Sequence, residues 1–296
     1  MTGTLRPLTL LVLCLSGLVQ NLPAFWTGGH AIVARGAAGG LPDEMPAFFR
    51  QGGDALADFA AEPDRWKNLA APHLRNAEWP NHFVDYELVE GQPLPPLRWQ
   101  FATLCGKLRK APDEIGFLPY SLVEETERLT LAFSDYRRRP DGAEARQKCL
   151  LYGGILSHYA ADLAQPLHLT IDYDGRTRPG APSPRTGIHN RMDALIQAAQ
   201  IRPDEIRPTL AGTLSDDLFT SAVQMVALNR RHIARVYALE NELPVVQKAG
   251  GVEAGWQPSG RVRQFALDRA RAAASLTADC WLTAWRHSIR IEPHTH

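Results

Sequence analysis

The 296-residue chain is short of several things, and each shortage excludes something. It has no excess of either charge: 32 Lys and Arg face 32 Asp and Glu, so affinity built on a broad basic surface is excluded. Cysteine is scarce, with Cys14 near the start and Cys105, Cys149 and Cys280 beyond it. That odd remainder leaves room for one disulfide and a spare thiol in an oxidising compartment, with the pairing open. Alternating apolar and polar runs are few, which argues against a sheet and for an all-α class. No repeat and no hydrophilic linker interrupts the chain, and about 270 residues beyond a leader suit one large domain over 25–296 with a sizeable core.

The one apolar run that stands out lies in residues 1–24. It is too short, and too interrupted by Gln20 and Asn21, for a membrane span, and it reads as a secretory signal with Leu22-x-Ala24 as the cleavage site. The mature chain would then begin at Phe25, in a secreted or periplasmic setting.

What the sequence does contain is histidine and aspartate at helical spacing. In Leu151–His168, His158 and Asp162 stand four apart, one above the other on a helix face that Leu151 and Ile155 continue with apolar side chains. An unpaired carboxylate directed into a protein is costly unless it meets a cation. Pro166 ends the helix and the chain returns at His168. One such pair reads as a satisfied hydrogen bond; repetition changes the reading. His189 and Asp193 form a second pair, and Asp64, His82 and His30 lie upstream. Imidazole nitrogen and carboxylate oxygen without thiolate, in more positions than one ion needs, suit a hydrolytic zinc cluster better than a structural zinc.

The ordered set resembles the zinc-dependent superfamily of the single-strand-specific type I nucleases of fungi and plants and the bacterial zinc phospholipases C. The likeness spans residues 25–193. Its His-x3-Asp-x5-His is matched by His158, Asp162 and His168 with the ending Gln165–His168, its later His-x3-Asp/Glu by His189 and Asp193, its aspartate before a tryptophan by Asp64, and its His-Phe-x-Asp by His82–Asp85. The resemblance implies three Zn2+ ions: one on Asp64, His82, His158 and Asp162; a neighbour on the free amino terminus, His30 and shared Asp162; a third on His168, His189 and Asp193. The N-terminal ligand would be Phe25 or Trp26. Four residues separate Phe25 from His30, as in the family, whereas Trp26 has three.

By the same resemblance Lys67 stands where a phosphate-steadying base, usually arginine, is found; Phe83 would stack on a base and Asp85 hydrogen-bond to it. The implied activity is a phosphodiesterase using ion-activated water for in-line attack, with Asp64 and Lys67 in the catalytic machinery. The first reading of substrate is single-stranded nucleic acid or nucleotide, cut at the 3′-oxygen to leave 5′-phosphates. Asp193, and the 20 residues between His168 and His189, lean to the nuclease branch; Asp174–Arg176, where the nucleases carry Gly-Gly-Asn, departs from it. The runner-up is a phospholipid headgroup, and a non-catalytic zinc-binding protein is the alternative of another class. No protein partner is implied, and a monomer is expected.

Helices are expected as two or three short pieces between Ala31 and Phe59, then near Arg98–Arg109, over Ser121–Arg138 as a polar helix, from a capping box at Asp141 and Glu144 to about Ala164, and as two long helices over about 213–240 and 260–290. The last carries Val262, Phe265, Leu276 and Trp281 as a core stripe. His232 and His287 read as non-ligands.

Overall fold

A computed structural model describes residues 27–89, 91–178, 181, 183–212, 214–247 and 251–292. Fourteen α-helices follow in order: α1 (Thr27–Ala38), α2 (Ala47–Arg50), α3 (Gly53–Phe59), α4 (Glu62–Trp66), α5 (Pro72–Glu78), α6 (Arg98–Leu108), α7 (Pro112–Ile115), α8 (Leu118–Arg138), α9 (Ala143–Ala164), α10 (Ile188–Asp193), α11 (Leu195–Ala198), α12 (Leu218–Arg230), α13 (Ile233–Ala238) and α14 (Gly260–His287). The only extended pairing among the described residues is one bridge between Val246 and Val252. The class is all-α, and one continuous core runs through the domain. None of the described helices is long and apolar enough to cross a membrane.

The long helices α8, α9 and α14 pack on one another, and α1 and α3 close over α9. Glycine makes that closure possible: a Cβ on Gly153 would stand 2.7 Å from Phe49 Cζ and 2.8 Å from Leu56 Cδ2, and one on Gly154 only 2.4 Å from Phe59 Cβ. Without those side chains α3 approaches the middle of α9, and α4 follows directly onto its C-terminal half. Phe49, Phe133 and Trp281 fill the space beneath in edge-to-face contacts.

Four sequence expectations need correction. The helix expected from Ser121 begins at Leu118, and it is not a polar surface helix: Leu118, Tyr120, Leu122, Leu129 and Phe133 are buried. Its buried Thr126 and Thr130 hydroxyls donate to the carbonyls four residues back, so their polarity is consumed locally. The N-cap of α9 is Gly142, with no side-chain capping bond, so Asp141 and Glu144 do not form the box. The long helix expected over 213–240 starts late, because the described residues before it are strapped to α14: the Ala211 and Gly212 amides donate to Asp279 Oδ1 and the Leu214 amide to Thr283 Oγ1. Asp217 then caps α12 through the Thr220 amide. That helix breaks after Arg230, where Asn229 Nδ2 donates to Met225 O and competes with the backbone ladder. Cys105, Cys149 and Cys280 are all buried free thiols, so the possible disulfide is not formed among them.

Candidate metal centre

Eight side chains from six elements converge, seven of them lining one cavity of about 850 Å3 and the eighth, His158, buried behind it. His30 comes from α1, Asp64 from α4, His82 from the 3-10 turn Trp79–His82, His158 and Asp162 from the last turns of α9, His168 from the turn Pro166–Leu169, and Asp193 from α10, with His189 one turn before it. The signal segment 1–24, Phe25 and Trp26 lie outside the described residues, so the N-terminal ligand has no place in the geometry that follows.

Asp162 is the hub. Its Oδ2 lies 2.9 Å from His82 Nδ1 and 3.2 Å from His158 Nε2, while Oδ1 lies 3.5 Å from His30 Nε2 and 3.4 Å from His168 Nδ1. The two oxygens thus face different histidines. The side chain is 4% exposed and that of His158 is wholly buried, and no lysine or arginine among the described residues pairs with this carboxylate, which makes its charge expensive.

Backbone carbonyls fix the tautomers. A carbonyl only accepts, so His158 Nδ1, 2.9 Å from Ala60 O, carries the hydrogen, as does His168 Nδ1, 2.8 Å from His82 O. In the neutral rings, His158 Nε2 and His168 Nε2 therefore present lone pairs. His158 Nε2 directs its lone pair at Asp162 Oδ2, and His168 Nε2 stands 3.4 Å from Asp193 Oδ1. With neutral rings acceptor faces acceptor, so each pair calls for a proton or a metal ion between its members, and His82 Nδ1, 2.9 Å from both His158 Nε2 and Asp162 Oδ2, can donate to only one of them. His30 Nδ1, His82 Nε2, His168 Nε2 and His189 Nδ1 are buried without a hydrogen-bond partner among the described residues.

The charges agree. Burial would raise the Asp162 carboxyl, but His158 and His168 outweigh it and hold the group well below the usual carboxylate range. Asp193 is likewise held well below its usual range, burial being overcome by His189 and His168, and Asp64 is depressed by His158 and Lys67 against burial. His168, opposed by burial, is raised to about 9 by Asp162 and Asp193, whereas burial beside His158 lowers His30 to about 4. The carboxylates stay ionised and call for positive charge.

Three groups have donor atoms close enough to share an ion: His30 with Asp64 and His158; His82 with His158 and Asp162; His168 with His189 and Asp193. These clusters could hold metal ions, and nitrogen-oxygen donors of this kind suit zinc. The third group matches the set the resemblance implies. The first two differ: Asp64 groups with His30, not with His82, and His158 serves both groups.

Outer contacts orient the donors. Gln165 Nε2 donates to Asp193 Oδ1 at 2.8 Å, and its Oε1 accepts from the Leu167 amide at 2.6 Å, tying the turn that carries His168 to α10. Glu78, which the sequence reading missed, is buried beside His82: its Oε1 lies 3.1 Å from His82 Nε2, outside hydrogen-bond alignment, and accepts from Tyr159 Oη at 2.5 Å. Its spacing of four before His82 was a usable signal. Lys67 Nζ pairs with Asp64 Oδ1 at 2.6 Å, and that pairing outweighs the burial that would lower its pKa. Phe83 and Asp85 line the same cavity, and burial with the nearby Glu87 pushes Asp85 up to about 7. His232 and His287 stand apart; His287 Nε2 lies 3.3 Å from Asp216.

Comparison with protein-family models and with curated proteins finds no match for the chain.

Proposed function

We propose that the protein is a secreted, zinc-dependent phosphodiesterase of nuclease type that cuts single-stranded nucleic acid at the 3′-oxygen and leaves 5′-phosphates. The observation that carries this reading is the set of buried lone pairs on His158 and His168 directed at the carboxylates of Asp162 and Asp193. Three ions held there, when bound, would supply a lowered water pKa and charge stabilisation at phosphorus. Six positive charges against the three carboxylates Asp64, Asp162 and Asp193 would leave the cavity attractive to phosphate, although the surface as a whole is neutral.

The chain's own residues then divide the work. Asp162 holds the histidines from both of its oxygens, so one side chain sets the spacing of the centre. By holding the Nδ1 hydrogens, the Ala60 and His82 carbonyls make Nε2 the atom that His158 and His168 can offer to an ion. Lys67 balances Asp64. Phe83 offers a half-buried ring to a base, and Asp85, with its proton retained to about neutral pH, can donate to a base acceptor. The free amine of a mature N-terminus at Phe25 would complete the ligand set.

The deciding experiment gives purified, zinc-loaded protein single-stranded DNA in one assay and phosphatidylcholine in another. Release of 5′-phosphorylated nucleotides is the expected result. Cleavage of the lipid alone would move the assignment to the phospholipase C branch, and turnover of neither would leave a zinc-binding protein without catalysis.

A further inference from the structure

Four cationic side chains line the cavity: Lys67, Arg75, Arg185 and Arg269. Lys67 is engaged by Asp64, and Arg269, although its Nε also lacks a hydrogen-bond partner among the described residues, is buried with Nη1 donating to Asn229 Oδ1 at 2.9 Å. Arg185 is an exposed loop residue. Arg75, on α5, is different in being only partly buried and in having no side-chain hydrogen bond among the described residues. Its guanidinium lies over the Trp79 ring, 4.6 Å from the centroid, and its Nε is shielded from water without a hydrogen-bond partner among the described residues. Nor does it form an ion pair with any described carboxylate. A shielded N–H left unsatisfied costs about 1–3 kcal/mol, which a bound acceptor would recover.

Trp79 explains how the guanidinium is held. The ring is 48% exposed and lines the cavity, with Arg75 on it and Lys67 Nζ 5.6 Å from its centroid. Stacking fixes the plane of the guanidinium and leaves its edge for an anion, the geometry in which arginine binds a phosphate through two parallel N–H bonds. Phe83 lines the cavity four residues after Trp79. One wall, residues 67–83, therefore combines cations with aromatic rings, as in proteins that track a single strand.

We propose that Arg75, braced on Trp79, is a phosphate clamp that binds a backbone phosphate of a single strand outside the scissile one. It rests on the nucleic-acid reading above. It also accounts for the neutralised base at Lys67: with that charge committed to Asp64, the free cation of the wall comes from the next helix.

The test is binding of a fluorescent, hydrolysis-resistant phosphorothioate DNA octamer to the zinc-loaded mature protein across a salt series. Arg75→Ala should weaken binding about tenfold and flatten the slope of log K against log salt by about 0.7, the value for one lost phosphate contact on a single strand. Arg75→Lys should keep the slope but lose affinity, and Trp79→Ala should weaken binding where Trp79→Phe does not. Zinc content, and hydrolysis of bis(p-nitrophenyl) phosphate, which has a single phosphate, should be unchanged in Arg75→Ala. Wild-type affinity and slope in Arg75→Ala would overturn the clamp, as would a loss on the small diester equal to that on the octamer. A wild type that binds the octamer but cuts no DNA would refute the nuclease reading and leave the clamp standing; one that binds no octamer overturns both.

Discussion

The two halves of α9 differ both in burial, which is nearly complete from Gly153 to Ala164 and limited to Ala145 and Cys149 before it, and in their polar accounts. In the first half, Gly153 O accepts from Trp281 Nε1 at 2.9 Å, and in the α14 segment beside it the Thr283 hydroxyl donates to Asp279 O while Asp279 accepts two amides of the strap. These polar groups find their partners in the chain; among the described residues of α14 only the Thr277 hydroxyl and Arg269 Nε are buried without one. In the second half His158 Nε2 and Asp162 Oδ2 face each other and compete for the one nitrogen His82 Nδ1, and four imidazole nitrogens around them find no partner among the described residues. Burial alone is therefore no sign of function in this protein; burial with acceptors facing acceptors is.

The comparison breaks hardest at Asp162. Losing a contact that merely orients a ligand typically costs about 10–100-fold in metal affinity or activity, so Asp162→Asn, which removes the hub itself, should lose more than about a hundredfold in turnover together with at least one ion. The zinc-free variant should melt below zinc-free wild type, because the carboxylate that His158 and His168 hold ionised in the fold has been removed. Full metal content with normal turnover would place Asp162 with the structural half. Gly153→Ala is the converse. Its Cβ would press on Phe49 and Leu56, and overpacking of this kind costs about 1–3 kcal/mol. Thermal melts should fall by a similar amount with and without zinc, while zinc content stays at wild-type level.

At the rim, Phe83→Ala should raise KM on nucleotides roughly tenfold or more, since a stacked base is worth about 1–3 kcal/mol, and should leave zinc content unchanged. Loss of folding would return Phe83 to the core. The smallest effect belongs to Asp279 in the satisfied half. Burial raises its pKa above the usual 3.8 despite the Ala211 and Gly212 amides. With a native pKa above the unfolded one, its contribution is complete below pH 3.8 and is lost as pH rises through the native value. Asp279→Asn should flatten that part of the stability profile, read by chemical denaturation at pH 4 and pH 7.

The ligand positions were legible in the sequence because helical spacing is a local rule: His158 with Asp162, and His189 with Asp193, needed only a period of 3.6 to share a face. The same rule, not applied to Glu78 and His82, would have found the buried carboxylate. What could not be read was tertiary. The grouping of Asp64 with His30 depends on how closely α3 and α4 approach α9, and that follows from two glycines whose role appears only with Phe49, Leu56 and Phe59 in place. The break after Arg230 escaped because no Gly or Pro marks it; Asn229 makes it through a side-chain bond. The polar look of α8 misled because Thr126 and Thr130 satisfy themselves within the helix. Arg75 and Trp79 gave no spacing signal of metal binding, and their relation is a matter of ring and cation in space.

Elemental analysis of the mature, purified protein tests the central claim most directly. Three clusters of facing lone pairs and carboxylates predict close to three zinc ions per chain, all retained through gel filtration and released by a chelator with a fall in melting temperature. A protein that carries one ion or none after equilibration with zinc, and whose melting temperature does not respond to the metal, would contradict it.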